Sequence, residues 1–549
     1  MGIEPDSDGF FCIRRNALLI YYYFGTVLMQ KPSFDLEGII MKNIAFLLIT
    51  FNLWITSLGV QAASLSMAFD ADPVSLDPHE QLSEATLQLS HLVFDPLLRR
   101  NQSGIFEPRL ASHWEQINPL TLRVYLREGV RFHSGNMLSA DDIIFTILRL
   151  KRSPDFRAMF NAIAGVKKID ALTVDISMHQ QTPLILNILT YVFPMDSAFY
   201  KGRDAIVKFG ETFASKNMSG TGPYILTQRE PGVELIFKRF HKYWDHESKG
   251  NVDTIKFTPI RSDSTRLAAL LSGDVDFIHP ISPIDIPRIK RSPDIKFVSM
   301  PSTRILLLHM NQARRIEFRD QRVREAINLA INQSLIVEKI LKGFGKAAGQ
   351  LSVEQFSGHV KEIKPKYNLE KAKQLMKNAG YGEGFRISMM APNNRYVNDE
   401  KISQAVVAML AKINISVELK TLPKAQYFQE FDNRSADLMM IGWQSDTNDS
   451  NNLFEFLIAC TDQNTGLGAY NASSYCNAKI DDRIRAANIE MNAERRTQLL
   501  QEIEIILEEE SAIVPLLWQS LSWGAKQNFK IENIVNERNF PYLGDLVVE

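Results

Sequence analysis

Apolar positions recur along this chain in two rhythms. Leu65-Ser66-Met67-Ala68-Phe69 and Thr121-Leu122-Arg123-Val124-Tyr125-Leu126 alternate at every second residue, the period of a strand with one buried face. Further strands are predicted at Phe385–Met390, Ser416–Leu419 and Asp437–Gly442. Elsewhere apolar residues fall three and four apart, the spacing of one helix face. This pattern covers Gln321–Leu341, Leu369–Ala379, Glu400–Ile413 and Ala493–Glu510. One helix also announces its start. Ser139 suits a cap, Asp141 and Asp142 suit the positive end, and Ile143, Ile144, Ile147 and Leu148 form the apolar stripe. Strands alternating with helices imply α/β lobes with largely parallel sheets, which bind ligands outside the carboxyl ends of their strands.

One apolar run belongs to neither rhythm. Met41-Lys42-Asn43 is a short, weakly basic start, followed by an apolar stretch from Ile44 through Trp54 to Leu58 and by Val60-Gln61-Ala62-Ala63. This is the layout of a secretory signal over 41–62, with cleavage expected after Ala62. No cysteine follows the apolar run, which argues against a lipid anchor and for a free periplasmic protein. Residues 1–40 fit poorly. Arg14 and Arg15 interrupt the apolar stretch there, and Ala17–Met29 is shorter than the ~20 residues of a membrane span. A start codon assigned upstream of Met41 is the preferred reading, and a membrane anchor the alternative.

The length of 549 residues calls for two or three domains. Sixty-two bases against 63 acids leave a net charge of -1, with no basic block of the kind that binds nucleic acid or a membrane surface. Of three cysteines, Cys12 lies in the doubtful extension, and Cys460 and Cys476 read as a disulfide in an oxidising compartment. Gly343-Phe344-Gly345-Lys346-Ala347 lacks the Ser or Thr of a phosphate loop. His241 and His246 have no second ligand cluster, so no metal is expected. Neither a Gly-x-Ser-x-Gly elbow nor a His-Glu-x-x-His motif occurs, and no cofactor or enzymatic activity is predicted.

Several segments carry a resemblance. Leu97 to Trp114 includes Gly104, Pro108 and Leu110-Ala111 at the spacing of "Leu…Gly…Pro-x-Leu-Ala-x-x-Trp". Leu126-Arg127-Glu128-Gly129-Val130-Arg131-Phe132-His133-Ser134-Gly135 is followed by Ala140-Asp141-Asp142-Ile143. Then come Gly220-Thr221-Gly222-Pro223-Tyr224, Tyr243-Trp244 and Arg322-Val323-Arg324-Glu325-Ala326-Ile327. In this order, from about Leu65 to Trp518, they resemble the family 5 extracellular solute-binding proteins of ABC transporters, and among these the dipeptide and Sap-type binders. The resemblance implies a two-lobed periplasmic-binding-protein fold of type II, cluster C, with an extra subdomain in the first lobe. Lobe I would comprise 64–106, 218–310 and a return at 515–549, its inserted subdomain 107–217, and lobe II 311–514.

It also implies a function and a site. The chain would be a monomer that binds a small peptide between its lobes and delivers it to ABC permease subunits, with the ATPase subunits as indirect partners. A binder of haem or of a metal chelate on the same fold is the alternative, with an exported hydrolase behind it. After the strand Ala436–Ile441, Asp446 stands three residues beyond Trp443, where dipeptide binders hold the ligand's ammonium. Arg395 leaves another strand end, where a guanidinium takes the carboxylate bidentately. Trp443 would wall the pocket, and Tyr396 is assigned to the same site. Ser450 replaces a proline usual in the family, which is expected to loosen the turn after Asp446. Cys460 and Cys476 match a family disulfide near the cleft.

Overall fold

The structure is a computed structural model that describes residues 63–549, apart from 74, 102 and 103. The predicted signal over 41–62 and the extension 1–40 therefore lie outside the described residues, as does Cys12. Among the described residues, no helix is long and apolar enough to cross a membrane.

The dominant element is one mixed sheet of eleven strands. In chain order they are β1 (Ala63–Phe69), β2 (Tyr224–Glu230), β3 (Glu234–Arg239), β4 (Val252–Pro259), β5 (Phe277–His279), β6 (Ile295–Met310), β7 (Lys346–Ala347), β8 (Phe385–Pro392), β9 (Ile415–Leu422), β10 (Leu438–Gln444) and β11 (Val514–Lys526). Their spatial order is β9-β8-β10-β6-β11-β5-β1-β4-β3-β2, with β7 alongside β11. Pairing is parallel within β9-β8-β10 and β5-β1-β4, and antiparallel elsewhere. The sheet is thus less parallel than strand–helix alternation suggested, because two long antiparallel strands, β6 and β11, run through its middle.

These strands change partners along their length. Ile295–Pro301 of β6 pairs with Ser520–Lys526 of β11; after a register shift, Ile305–Leu308 pairs with Val514–Trp518. Beyond the shift β6 also pairs with β10, while the far end of β11 pairs with β5. The sheet therefore has two α/β halves joined through β6 and β11. Strand periodicity fills both faces of the second half. Ile305 and Leu307 enter one core with Met439, Ile441 and Trp443, and Leu306, Leu308 and Met310 enter the opposite core with Leu438 and Met440. A separate antiparallel sheet (111–118, 121–126, 163–168 and 173–178) packs with the Ala140–Leu150 helix. Asp142 takes both the backbone N–H and the hydroxyl of Ser139, at 2.8 and 3.0 Å, where that helix begins.

The long helix predicted over Gln321–Leu341 is two, Gln321–Ala330 and Gln333–Lys339. The amide oxygen of Asn332 accepts from Leu335 N–H and caps the second, so the pattern concealed a cap at the break. Cys460 and Cys476 are joined by a disulfide across 16 residues.

Candidate functional site

The carboxyl ends of parallel strands β8 and β10 open onto one cavity. β10 delivers Trp443 and then Asp446, the turn after β8 delivers Arg395, and β6 contributes Arg304, opposite Gln444 in the ladder. From the other half of the sheet comes Glu84, first residue of the Glu84–Val93 helix. The cavity holds about 730 Å³ of free space, open solvent at its mouth included.

Its cationic wall is built around one carboxylate. Glu84 Oε2 accepts from Arg304 Nη2 at 2.5 Å and from Arg395 Nη1 at 2.9 Å, and its other oxygen accepts from the Asn539 amide. Burial by itself would push the Glu84 carboxyl up, but Arg304, Arg395 and smaller contributions hold it at about 2. The turn carrying Arg395 is fixed by Asp399, whose Oδ2 accepts the N–H groups of Arg395 and Tyr396 at 2.9 and 3.0 Å. Lys424 completes this wall. Its Nζ donates to Ser83 Oγ at 3.0 Å, and burial, then Arg395, lowers its ammonium to about 7. Asp70, beyond the end of β1, is raised to about 6, first by burial.

Asp446 forms the opposite pole. Its Oδ1 accepts from the Tyr191 hydroxyl at 3.0 Å, whereas Oδ2 is buried with no hydrogen-bond partner. Burial is the main cause of its elevation to about 7, against the pull of Arg538. Arg538 spans the Tyr191 hydroxyl and the Asp446 carbonyl, the latter at 2.6 Å. Asn452 Oδ1 accepts both Trp443 Nε1 and Asp446 N–H at 3.0 Å, which ties the tryptophan to the backbone of Asp446, two residues past the end of β10. Trp443 stacks on Phe456 at 5.0 Å and meets Tyr470 at 4.5 Å.

The turn after Asp446, which Ser450 was expected to loosen, is closed by a set of side-chain hydrogen bonds. Asp449 caps the Ser450–Leu457 helix through Asn451 N–H and is gripped by both Arg496 terminal nitrogens at 2.6 and 2.8 Å. Ser450 is buried, and its Oγ accepts from Ser352 Oγ at 2.8 Å and Gly358 N–H at 3.2 Å. A proline at this position would have no hydroxyl to accept these bonds. Asn448 adopts the left-handed conformation, φ 53°, which asparagine tolerates.

The structure brings Asp446, Arg395 and Trp443 to one cavity, but Tyr396 is set apart. It lies behind β10, its hydroxyl donates to Gly442 carbonyl at 3.2 Å, and its ring occupies the space a Cβ at Gly442 would need, 2.6 Å away. Sequence reasoning passed over Glu84, Arg304, Lys424, Tyr191 and Arg538. Only Arg304 carried a signal, as a single charge heading the apolar run Ile305–Leu308.

Residues 106–465 match the family profile described as bacterial extracellular solute-binding proteins, family 5. The dipeptide-binding protein of Escherichia coli (strain K12) is 26% identical over 482 residues, covering 82% of this chain and 89% of the relative. A glutathione-binding protein of Salmonella typhi is 24% identical over 488 residues, covering 85% and 93%. Among solved structures, the dipeptide binding protein from Pseudoalteromonas sp. SM9913 in complex with Met-Leu superposes with a TM-score of 0.81 at 20% identity, covering 88% of this chain and all of that one. The Escherichia coli murein tripeptide binding protein gives 0.79 at 23% identity, covering 89% and 99%.

Proposed function

The chain belongs to the bacterial extracellular solute-binding proteins of family 5, and from that premise we propose that it binds a short peptide between its two lobes and delivers it to an ABC permease, without turning the ligand over. The observation that carries this reading is Asp446 Oδ2, a buried carboxylate oxygen without a partner, on the wall of a cavity that also exposes Arg395. Leaving such a group unsatisfied costs roughly 1–3 kcal/mol or more, and a ligand ammonium removes that cost. Arg395 keeps donors beyond the Nη1 used on Glu84, and its planar fork suits a ligand carboxylate. Trp443 contributes apolar wall, and Tyr396 supports β10 from behind. The register shift between Pro301 and Ile305 is a natural place for the two halves to swing, since pairing is weakest there.

Export follows the same reading, with cleavage after Ala62 and release into the periplasm. Two measurements test the proposal. Native mass spectrometry of protein from its own periplasm should find a bound peptide and a mature chain starting at Ala63, and calorimetry with free peptides should give stoichiometric binding without hydrolysis. A haem or metal chelate in that spectrum, or turnover of the peptides, defeats it.

A further inference from the structure

Lys424 is placed where a cation is poorly tolerated. It is the first residue of the Lys424–Asp432 helix, where the helix dipole is positive. Arg395 and Arg304 line the same wall and lower its ammonium further. Its buried ammonium uses one donor, on the neutral Ser83 hydroxyl. Among the described residues no carboxylate lies within ion-pairing distance of it. Glu84 is committed to the two arginines, and Asp70, the other acid nearby, makes no ion pair. The cavity wall as a whole carries five cations (Lys208, Arg304, Arg395, Lys424 and Arg538) against the carboxylates Glu84, Asp155 and Asp446. Of these cations Lys208 is already paired with Asp155 and Asp432. A zwitterionic peptide brings one carboxylate, which the proposed site gives to Arg395, and leaves Lys424 without an ion-pair partner. A buried ammonium with free donors, beside two guanidiniums, is stabilised by a further anion that arrives with the ligand.

We propose that Lys424 receives an acidic side chain of the bound peptide, so that the cavity prefers peptides carrying Glu or Asp over their amide counterparts. This rests on the peptide-binding reading above and adds a side-chain preference to it. The lowered ammonium of Lys424 fits the assignment, since an arriving carboxylate would restore its proton.

The test is calorimetry at pH 7 on di- and tripeptides of alanine with Glu or Gln at each position in turn. The protein should bind at least one Glu peptide about ten- to a hundredfold tighter than its Gln isostere. Lys424→Met, which keeps the stem and removes the charge, should bind Glu and Gln peptides alike. Lys424→Arg should retain a preference for Glu. If the unmodified protein binds these peptides but does not tell Glu from Gln at any position, the Lys424 assignment is wrong and the peptide-binding reading stands; the same holds if Lys424→Met keeps the preference. If no peptide binds the unmodified protein, both readings fall together.

Discussion

Glu84 and Arg395, 311 residues apart in sequence, meet in a 2.9 Å ion pair inside the cavity. One comes from a helix that packs against β2, the other from the turn beyond β8, so the pair links the two halves of the sheet. Arg304 shares the same carboxylate. Removing one partner of a buried pair leaves the others charged and dry, at a cost of about 3–5 kcal/mol. Glu84→Gln should therefore lower the melting temperature of the ligand-free protein by several degrees. A peptide with a free carboxylate should raise it more in the variant than in the parent, because it returns an anion to the arginines. Scanning calorimetry with and without peptide checks this, and equal melting temperatures would show the pair to be energetically idle.

Asp446→Asn should weaken binding of peptides with a free amino terminus by about ten- to a hundredfold, the worth of a charge-assisted hydrogen bond. N-acetylated peptides should bind the unmodified protein poorly and lose little further on the substitution. Titration calorimetry of both peptides on both proteins gives the coupling. If acetylated and free peptides bind alike, Asp446 does not hold the ammonium.

Arg496 touches no ligand position yet holds Asp449 with two nitrogens three residues beyond Asp446. Arg496→Met would leave Asp449 buried without its partner and free the turn that aims Asp446. Affinity should fall several-fold through a faster off-rate, with the on-rate little changed, while circular dichroism stays that of the folded protein. Surface plasmon resonance separates the two rates. An unchanged off-rate would mean that Asn452, together with the Ser445 hydroxyl that bonds both the N–H and the carbonyl of Asp449, suffices to hold the turn.

The fold was legible because its cores are built from long periodic segments. The helices Leu369–Asn378 and Ala493–Glu509 and the strands β8, β9 and β10 end within a few residues of where the pattern put them. What periodicity concealed was pairing direction: β6 and β11 exchange partners midway, and that depends on contacts more than two hundred residues apart. That Asp446, Arg395 and Trp443 line one cavity could be anticipated because Asp446 and Arg395 follow strand ends and Trp443 closes β10, all in recognisable family segments. Glu84, Tyr191 and Arg538 could not, since only folding brings 84, 191 and 538 to one cavity. Lys424 follows Pro423 in a stretch that reads as an ordinary helix start. Tyr396 shows the opposite difficulty. Adjacency to Arg395 suggested the site, but neighbouring side chains on a turn point different ways, and this one fills the hollow over Gly442.

Ligand binding at Asp446 is linked to protons. Burial raises the Asp446 carboxyl to about 7, against the opposing pull of Arg538, the Tyr191 hydroxyl and Arg304. In the ligand-free protein the carboxyl is mostly neutral at pH 6 and mostly ionised at pH 8. An ammonium needs the ionised form, so binding below pH 7 expels a proton and is weakened by the work of removing it. A folded-state pKa near 7, lowered on binding, makes affinity several-fold weaker at pH 6 than at pH 7.5, and above about pH 8 affinity falls again as the peptide's own ammonium loses its proton. Stability runs the other way. A carboxyl raised above its unfolded value stabilises the ligand-free fold at low pH and loses that contribution as pH rises through 7. Lys424, lowered to about 7, would oppose the binding trend for acidic peptides, so the test uses neutral side chains. Calorimetry at pH 6, 7 and 8 in buffers of different ionisation enthalpy should report proton release at pH 6 that is absent in Asp446→Asn. Affinity that does not change with pH, or a release that survives the substitution, would place the titrating group elsewhere in the cavity.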